Sequence, residues 1–244
     1  MQVNFFWKGN DFDLIHRLSI LSHYLVGHDV VVWLSGKKPN SKFWVDDYSD
    51  VIKIKNADEI INIDDFLKSG GNFKTGSALW RYTYLYQYGG TYCDTDVIAL
   101  TKFPDDKWII VSGEKPENGY ASNSIIRVPK NELFLKESIE NIRAKWGNVI
   151  VFSDAYKKYY GTPIKYTHPN RMFHPFQFNE RAILFSNLSI PGAYSVHICH
   201  TFFDRRNIFI DWNYINQFKN TMLHKIVYHI QEKIERGDNF VKCK

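Results

Sequence analysis

The run Tyr88-Gly89-Gly90-Thr91-Tyr92-Cys93-Asp94-Thr95-Asp96-Val97 constrains this chain more than any other segment. An aromatic-rich helical pattern containing one cation, Arg81, stops at the glycine pair and passes into an acid-x-acid triplet among apolar residues. Glycine takes the left-handed conformation that ends a helix at little cost. On extended backbone, residues two apart share a face, so Asp94 and Asp96 are expected to project together, with Thr95 opposite. Two neighbouring carboxylates with apolar flanks need a compensating cation. A hard divalent ion that also grips a diphosphate is the simplest one, and Mg²⁺ or Mn²⁺ needs only one or two carboxylates beside substrate phosphates.

The 244 residues suit one α/β domain. At 44% hydrophobic and 16% aromatic the chain is too apolar for disorder. It has no run of 18 apolar residues, so no membrane span is expected. Met1–Trp7 begins like a strand and lacks the charged and apolar regions of a signal peptide. The three cysteines, Cys93, Cys199 and Cys243, show no metal-type spacing and point to a reducing compartment, hence a cytoplasmic location. The net charge of +5 is spread among 26 acids without a basic stripe, which argues against a nucleic-acid partner.

Hydrophobic periodicity predicts an opening β-α-β unit: a strand at Val3–Trp7, a helix over Asp11–Val26 capped by Asp11 or Asp13, and a buried strand at Asp29–Leu34. Further strands are expected at Val51–Ile54, Tyr92–Leu100, Trp108–Ser112, Ser124–Val128 and Ser195–Cys199, and helices at Ile60–Leu67, Ser77–Tyr88 and Asn131–Trp146. A single helix over Asn213–Glu235 closes the chain. Strands alternating with helices imply a mostly parallel central sheet flanked by helices. Ligands of such sheets sit at the carboxyl ends of strands, where Trp7, the 34–36 turn and Asp94–Asp96 fall.

Arg81 lies among Leu79, Trp80, Tyr82, Tyr84 and Tyr86. It cannot shed its charge, so either Asp94 or a diphosphate must meet it. Phe5-Phe6-Trp7-Lys8-Gly9 ends the first strand in an aromatic followed by a glycine turn. That arrangement suits base stacking beside phosphate-binding amides, while plain core packing of Phe5 and Trp7 is the simpler reading. No P-loop and no G-x-G-x-x-G is present, which argues against ATP hydrolysis and dinucleotide redox chemistry. His197 and His200, three apart, do not make a closed zinc site without two further ligands. One of them completing a divalent-ion or phosphate shell is the functional alternative to an ordinary core histidine. Cys93 beside Asp94 is expected to keep its proton, so it is no nucleophile.

These residues resemble the family 32 glycosyltransferases, sugar transferases with a DxD motif. The family pattern S-D-x-x-R-Y-x-x-L-Y-x-x-G-G-x-Y-x-D-x-D is met by Ser77, Arg81, Tyr82, Leu85, Tyr86, Gly89, Gly90, Tyr92, Asp94 and Asp96. Looser similarity runs through Phe6-Trp7 with Gly9, His28-Asp29, Asn123–Pro129, Phe173-His174-Pro175 and His197. Ala78 stands where the family has an acid, and Cys199 where it has a tryptophan.

The resemblance implies a Rossmann-like GT-A fold that binds a nucleotide-sugar through Mn²⁺ or Mg²⁺, with residues 1–212 as the catalytic domain and 213–244 as a helix packed on it. It implies Asp96, Asp94 and His197 at the metal, and Arg81 on the sugar or diphosphate. Phe6, Trp7, Gly9, Ser77, Tyr82 and Asn123 would line the donor site. The implied reaction is transfer with retained configuration to a glycan or other hydroxyl acceptor, from a UDP-sugar in preference to a GDP-sugar, as in polysaccharide biosynthesis. A non-catalytic sugar- or nucleotide-binding homologue and a nucleotide-sugar hydrolase are the alternatives. Acceptor loops are expected at 115–125 and 153–180.

Overall fold

The computed structural model describes residues 1–112, 120–145, 149–161, 170–176 and 178–237. In chain order the elements are β1 (Gln2–Trp7), α1 (Leu14–Leu25), β2 (Asp29–Leu34), β3 (Ile52–Asn56), α2 (Ile63–Lys68), α3 (Phe73–Tyr88), β4 (Gly90–Cys93), β5 (Val97–Ala99), β6 (Ile109–Ser112) and β7 (Ala121–Val128). They are followed by α4 (Leu133–Lys145), α5 (Val149–Tyr160), α6 (Asn170–Phe173), β8 (Ser195–His197), α7 (Thr201–Asp204), α8 (Trp212–Gln217) and α9 (Met222–Glu235).

Six strands form the main sheet in the order β3-β2-β1-β4-β7-β6. The first four are parallel, and β7 and β6 join antiparallel. The chain runs outward from β1 through β2 to β3, then returns to pair β4 on the other side of β1. That reversal opens a crevice between the carboxyl ends of β1 and β4, the preferred ligand position in such sheets. Alternation along the strands divides the core into two layers. Val3, Phe5, Val30, Val32, Cys93 and Ile125 face α1 and α9, while Phe6, Val31, Trp33, Tyr92 and Ile126 face α3, α4 and α5.

Local chemistry fixes the helices that flank the crevice. Asp13 caps α1 by accepting from Ile15 N–H at 2.9 Å and His16 N–H at 3.3 Å, and Nδ1 of His16 accepts the Asp13 N–H in return. Asn72 caps α3 through Thr75 N–H, so this helix starts a full turn before the expected Ser77. Trp80, Tyr82 and Leu85 on α3 are fully buried, each contributing about 1.5–3 kcal/mol of hydrophobic stabilisation. Gly89 ends the helix at φ +67°.

Three expectations are corrected. Tyr92–Leu100 is not one strand: β4 stops at Cys93, residues 94–96 turn, and β5 pairs with β8 in a separate two-stranded sheet. The turn closes through Val97 N–H on the Asp94 carbonyl, while Asp94 N–H still donates to Ser124 O in the main sheet. The closing segment is two helices, because α8 ends at Gln217 with Phe218 as its cap and Thr221 caps a new start for α9. Helix α5 was not expected; its Val149-Ile150-Val151-Phe152 start lacks a distinctive period, yet Phe152 and Ala155 are buried against the α3–α4 layer. Of the expected acceptor loops, residues 120–125 lie at and within β7 and 153–160 lie in α5; 115–119, 162–169 and 177 lie outside the described residues.

Candidate active site

A cavity of about 640 Å³ opens at the carboxyl ends of β1 and β4. The end of β1 supplies Phe6, Trp7 and Gly9, α3 supplies Ser77, Ala78 and Arg81, and the turn after β4 supplies Asp94 and Asp96. Asn123 of β7 and His200 before α7 complete the opposite wall.

The acidic turn gives Asp94 and Asp96 different surroundings. Asp94 Oδ1 takes a 2.5 Å ion pair from Arg81 Nη2 and a 2.8 Å hydrogen bond from the Tyr92 hydroxyl. Arg81 thus meets Asp94, one of the two partners expected for it. The guanidinium also donates to the Asn123 carbonyl, lies 4.2 Å from the Tyr92 ring centroid, and keeps an Nε with no hydrogen-bond partner among the described residues. Burial raises the Asp94 carboxyl above its ordinary value, and the Arg81 charge offsets this only in part.

Asp96 meets a different set of partners. Its Oδ1 lies 3.2 Å from His197 Nε2, and its Oδ2 accepts the His200 backbone N–H at 2.7 Å. Burial favours the neutral acid, but the His197 charge and these hydrogen bonds prevail, leaving Asp96 well below the usual carboxylate range. His197 is correspondingly pushed well above an ordinary histidine despite its burial, by Cys199 and Asp96. One ligating atom from each of Asp94, Asp96 and His197 lies within 4.8 Å of the others. Two carboxylates with an imidazole that gives up its proton to the ion suit a hard or borderline divalent cation. Spare lone pairs fit this role, since a carboxylate offers about four acceptor positions and Asp94 Oδ2 has no hydrogen bond among the described residues.

The remaining expected residues divide. Trp7 lines the cavity, but Phe12 packs edge-on at 5.0 Å and His16 at 4.5 Å, while its indole N–H donates to Gly9 O. Phe6 reaches the cavity at 5% exposure and stacks on Trp80. Ser77 lines the wall with its hydroxyl turned to Lys74 O. Asn123 lines the cavity and sends its amide to the Tyr82 hydroxyl. Tyr82 is corrected: it is fully buried, stacks on Phe152 and does not reach the cavity. His174 donates to or accepts from Ser124 Oγ and lies beside His197, with ring centroids 5.1 Å apart.

Several cavity residues were not singled out from the sequence. Tyr92 bridges Arg81 and Asp94, and its place two residues before Asp94 was the available signal. His16, Phe73, Lys74 and Asp204 also line the cavity, as does His200, which the sequence offered beside His197 as a candidate for the ion or phosphate shell. His16 and His200 come from distant segments that only the fold brings together. The Cys93 thiol is buried and held well above its ordinary pKa by burial and by Asp94 and Asp96, as expected of a group that does not react.

Residues 12–113 match the family model described as a glycosyltransferase sugar-binding region containing a DXD motif. Over that stretch the chain is similar to DXD-type sugar-binding regions. A human alpha-1,4-N-acetylglucosaminyltransferase is 33% identical over 73 residues, which are 28% of this chain. The matched stretch thus spans about a fifth of that protein, 20% of its length. The PaToxG glycosyltransferase superposes with a TM-score of 0.52 at 14% identity, over 65% of this chain and 68% of that one. The fold around the DXD region is of the GT-A type, α/β with a mostly parallel sheet. Among the described residues no helix is long and apolar enough to cross a membrane.

Proposed function

We propose that this chain is a divalent-metal-dependent glycosyltransferase that moves a sugar from a nucleoside diphosphate donor, a UDP-sugar in preference to a GDP-sugar, to a hydroxyl of a glycan. Asp94 and Asp96 line one open cavity with Arg81, and His197 stands behind them within ligating distance of both; this convergence carries the reading. The match of residues 12–113 to a DXD sugar-binding region supports it.

Asp94, Asp96 and His197 would hold Mn²⁺ or Mg²⁺, which neutralises charge developing on a departing diphosphate. The protein's own groups do the rest by position. Arg81 fixes Asp94 and places a buried cation at the cavity wall, where preorganised charge counts for more than in water. The Trp7 edge and the Gly9 turn offer an apolar wall and open backbone for the nucleoside. Retention of anomeric configuration is the stereochemical outcome we assign, with the acceptor hydroxyl entering from the open side of the cavity.

Thermal shifts with UDP and GDP, each with and without Mn²⁺, test the donor site. A Mn²⁺-dependent rise with UDP is expected. Product analysis over a panel of nucleotide-sugars then separates transfer from hydrolysis. No shift with any nucleotide in the presence of Mn²⁺ would defeat the proposal.

A further inference from the structure

Asp96 sits in a turn, so no strand ladder fixes its side chain. The segment 197–200 does this instead. The Ile198 N–H donates to the Asp96 carbonyl at 2.9 Å, the His200 N–H to Oδ2 at 2.7 Å, and His197 faces Oδ1. To present a side chain and two backbone donors to one residue, the segment turns through Cys199 at φ +55°. That left-handed conformation is uncommon for a non-glycine residue and persists only where the surroundings impose it.

The His200 ring supplies the constraint. Its Nε2 meets Asp13 Oδ2 at 2.6 Å, its Nδ1 meets Asp204 Oδ1 at 2.9 Å, and its face packs on His16 with centroids 4.3 Å apart. Asp13 is fully buried. Its Oδ1 caps α1, and its Oδ2 also accepts the Ile210 N–H at 3.3 Å.

Asp13, His16 and His200 also lie close enough together to suggest a second cation site. Both Asp13 oxygens, both His200 ring nitrogens and Nδ1 of His16 already have partners within the cluster and its surroundings. Both Asp13 oxygens carry donors, and His16 Nδ1 takes the Asp13 N–H of the capping box. The cluster is therefore a support for the neighbouring site.

We propose that Asp13 and His200 are positioning residues for the cation site: Asp13 clamps the His200 ring, the His200 backbone orders Asp96, and the pair thereby sets the affinity for the divalent ion. This rests on the reading of Asp94, Asp96 and His197 as the ion's ligands. Groups that orient ligands from behind typically change metal affinity 10–100-fold when removed.

Direct Mn²⁺ titration, followed by the electron paramagnetic resonance of the free ion, reads that affinity without turnover. His200→Ala is expected to weaken Mn²⁺ binding about tenfold or more. Asp13→Asn keeps a good helix cap but loses the charge on His200, and is expected to weaken binding in the same direction. His200→Gln retains a donor for Asp13 and should recover most of the loss. The rate should follow the same order at limiting Mn²⁺ and converge with wild type at saturating Mn²⁺.

Folded His200→Ala and Asp13→Asn proteins that bind Mn²⁺ as tightly as wild type would overturn the proposal alone. A lowered melting temperature with unchanged Mn²⁺ affinity would do the same. Wild-type protein that binds no Mn²⁺ would overturn both the proposal and the metal reading beneath it.

Discussion

Arg81 and Asp94, thirteen residues apart, form a 2.5 Å ion pair at the floor of the cavity, with 6% and 25% of their side chains exposed. The Tyr92 hydroxyl closes the triangle by accepting from Arg81 Nη2 at 3.1 Å and donating to Asp94 Oδ1. Helix α3 and the turn after β4 are thereby locked together at the point where the site begins.

Breaking this pair leaves an uncompensated buried charge, which typically costs about 3–5 kcal/mol. Arg81→Met and Asp94→Asn should each lower the unfolding free energy by about 3 kcal/mol. The double variant should lose less than the sum, with a coupling of about 1–3 kcal/mol. Urea denaturation of the four proteins measures this, and strict additivity would show that the pair does not act as a unit.

Asp96→Asn should abolish Mn²⁺-dependent nucleotide stabilisation and transfer while the far-UV spectrum stays native. The amide keeps an oxygen for the His200 N–H but removes the charge a divalent ion requires. Near-normal activity at low Mn²⁺ would mean that another residue supplies the essential carboxylate.

Stability should fall in mild acid through a buried histidine pair that does not line the cavity. His23 and His28 are buried with Nδ1 atoms 3.2 Å apart. His28 accepts the Phe103 N–H, and the other ring nitrogen of His23 meets the Val97 carbonyl. Burial lowers both: His28 to about 4, with help from nearby positive charges, and His23 well below its ordinary value. A depressed histidine leaves stability intact above the unfolded value of 6.5. Below it, the unfolded chain binds protons that the native state refuses, and stability drops as pH falls toward 4. Each histidine contributes up to about 1.4 kcal/mol per pH unit. Denaturation midpoints at pH 7.5, 6 and 5 should decline in that order, and His28→Gln should flatten the slope.

Gly89→Ala should destabilise strongly. At φ +67° and ψ −159° this position is nearly restricted to glycine. An added Cβ would also lie 2.6 Å from Lys130 N and 3.1 Å from Val128 O, both backbone atoms. The backbone conformation alone costs about 1–3 kcal/mol, so a midpoint shift of at least that size is expected in urea. A shift near zero would show that the α3–β4 junction has room to move.

Much of the architecture was legible along the chain. The buried run Asp29–Leu34, the leucine spacing of α1 and the glycine stop after α3 are local signals that report strand, helix and terminus directly. The acidic pair and its Arg81 partner could be named because a charge among apolar residues must be answered somewhere nearby. Where signals were not local, the reading departed from the structure. The strand expected through Asp94–Asp96 breaks because two different partners claim its halves, Ser124 before the turn and β8 after it. Tyr82 carries the motif but faces the α5 layer, and a helix's rotation about its axis is settled by the neighbours it packs on.

The sequence by itself determined that a cationic helix would stop at a glycine pair and hand over to two carboxylates, since glycine's conformational freedom and the cost of burying charge act over a few residues. Only the tertiary structure decided which group answers each acid. Arg81 takes Asp94, whereas His197 and His200 take Asp96 across more than a hundred residues of chain, 104 in the case of His200. Contacts at that separation depend on how β5 and β8 pair and how α1 packs, and no local pattern encodes them.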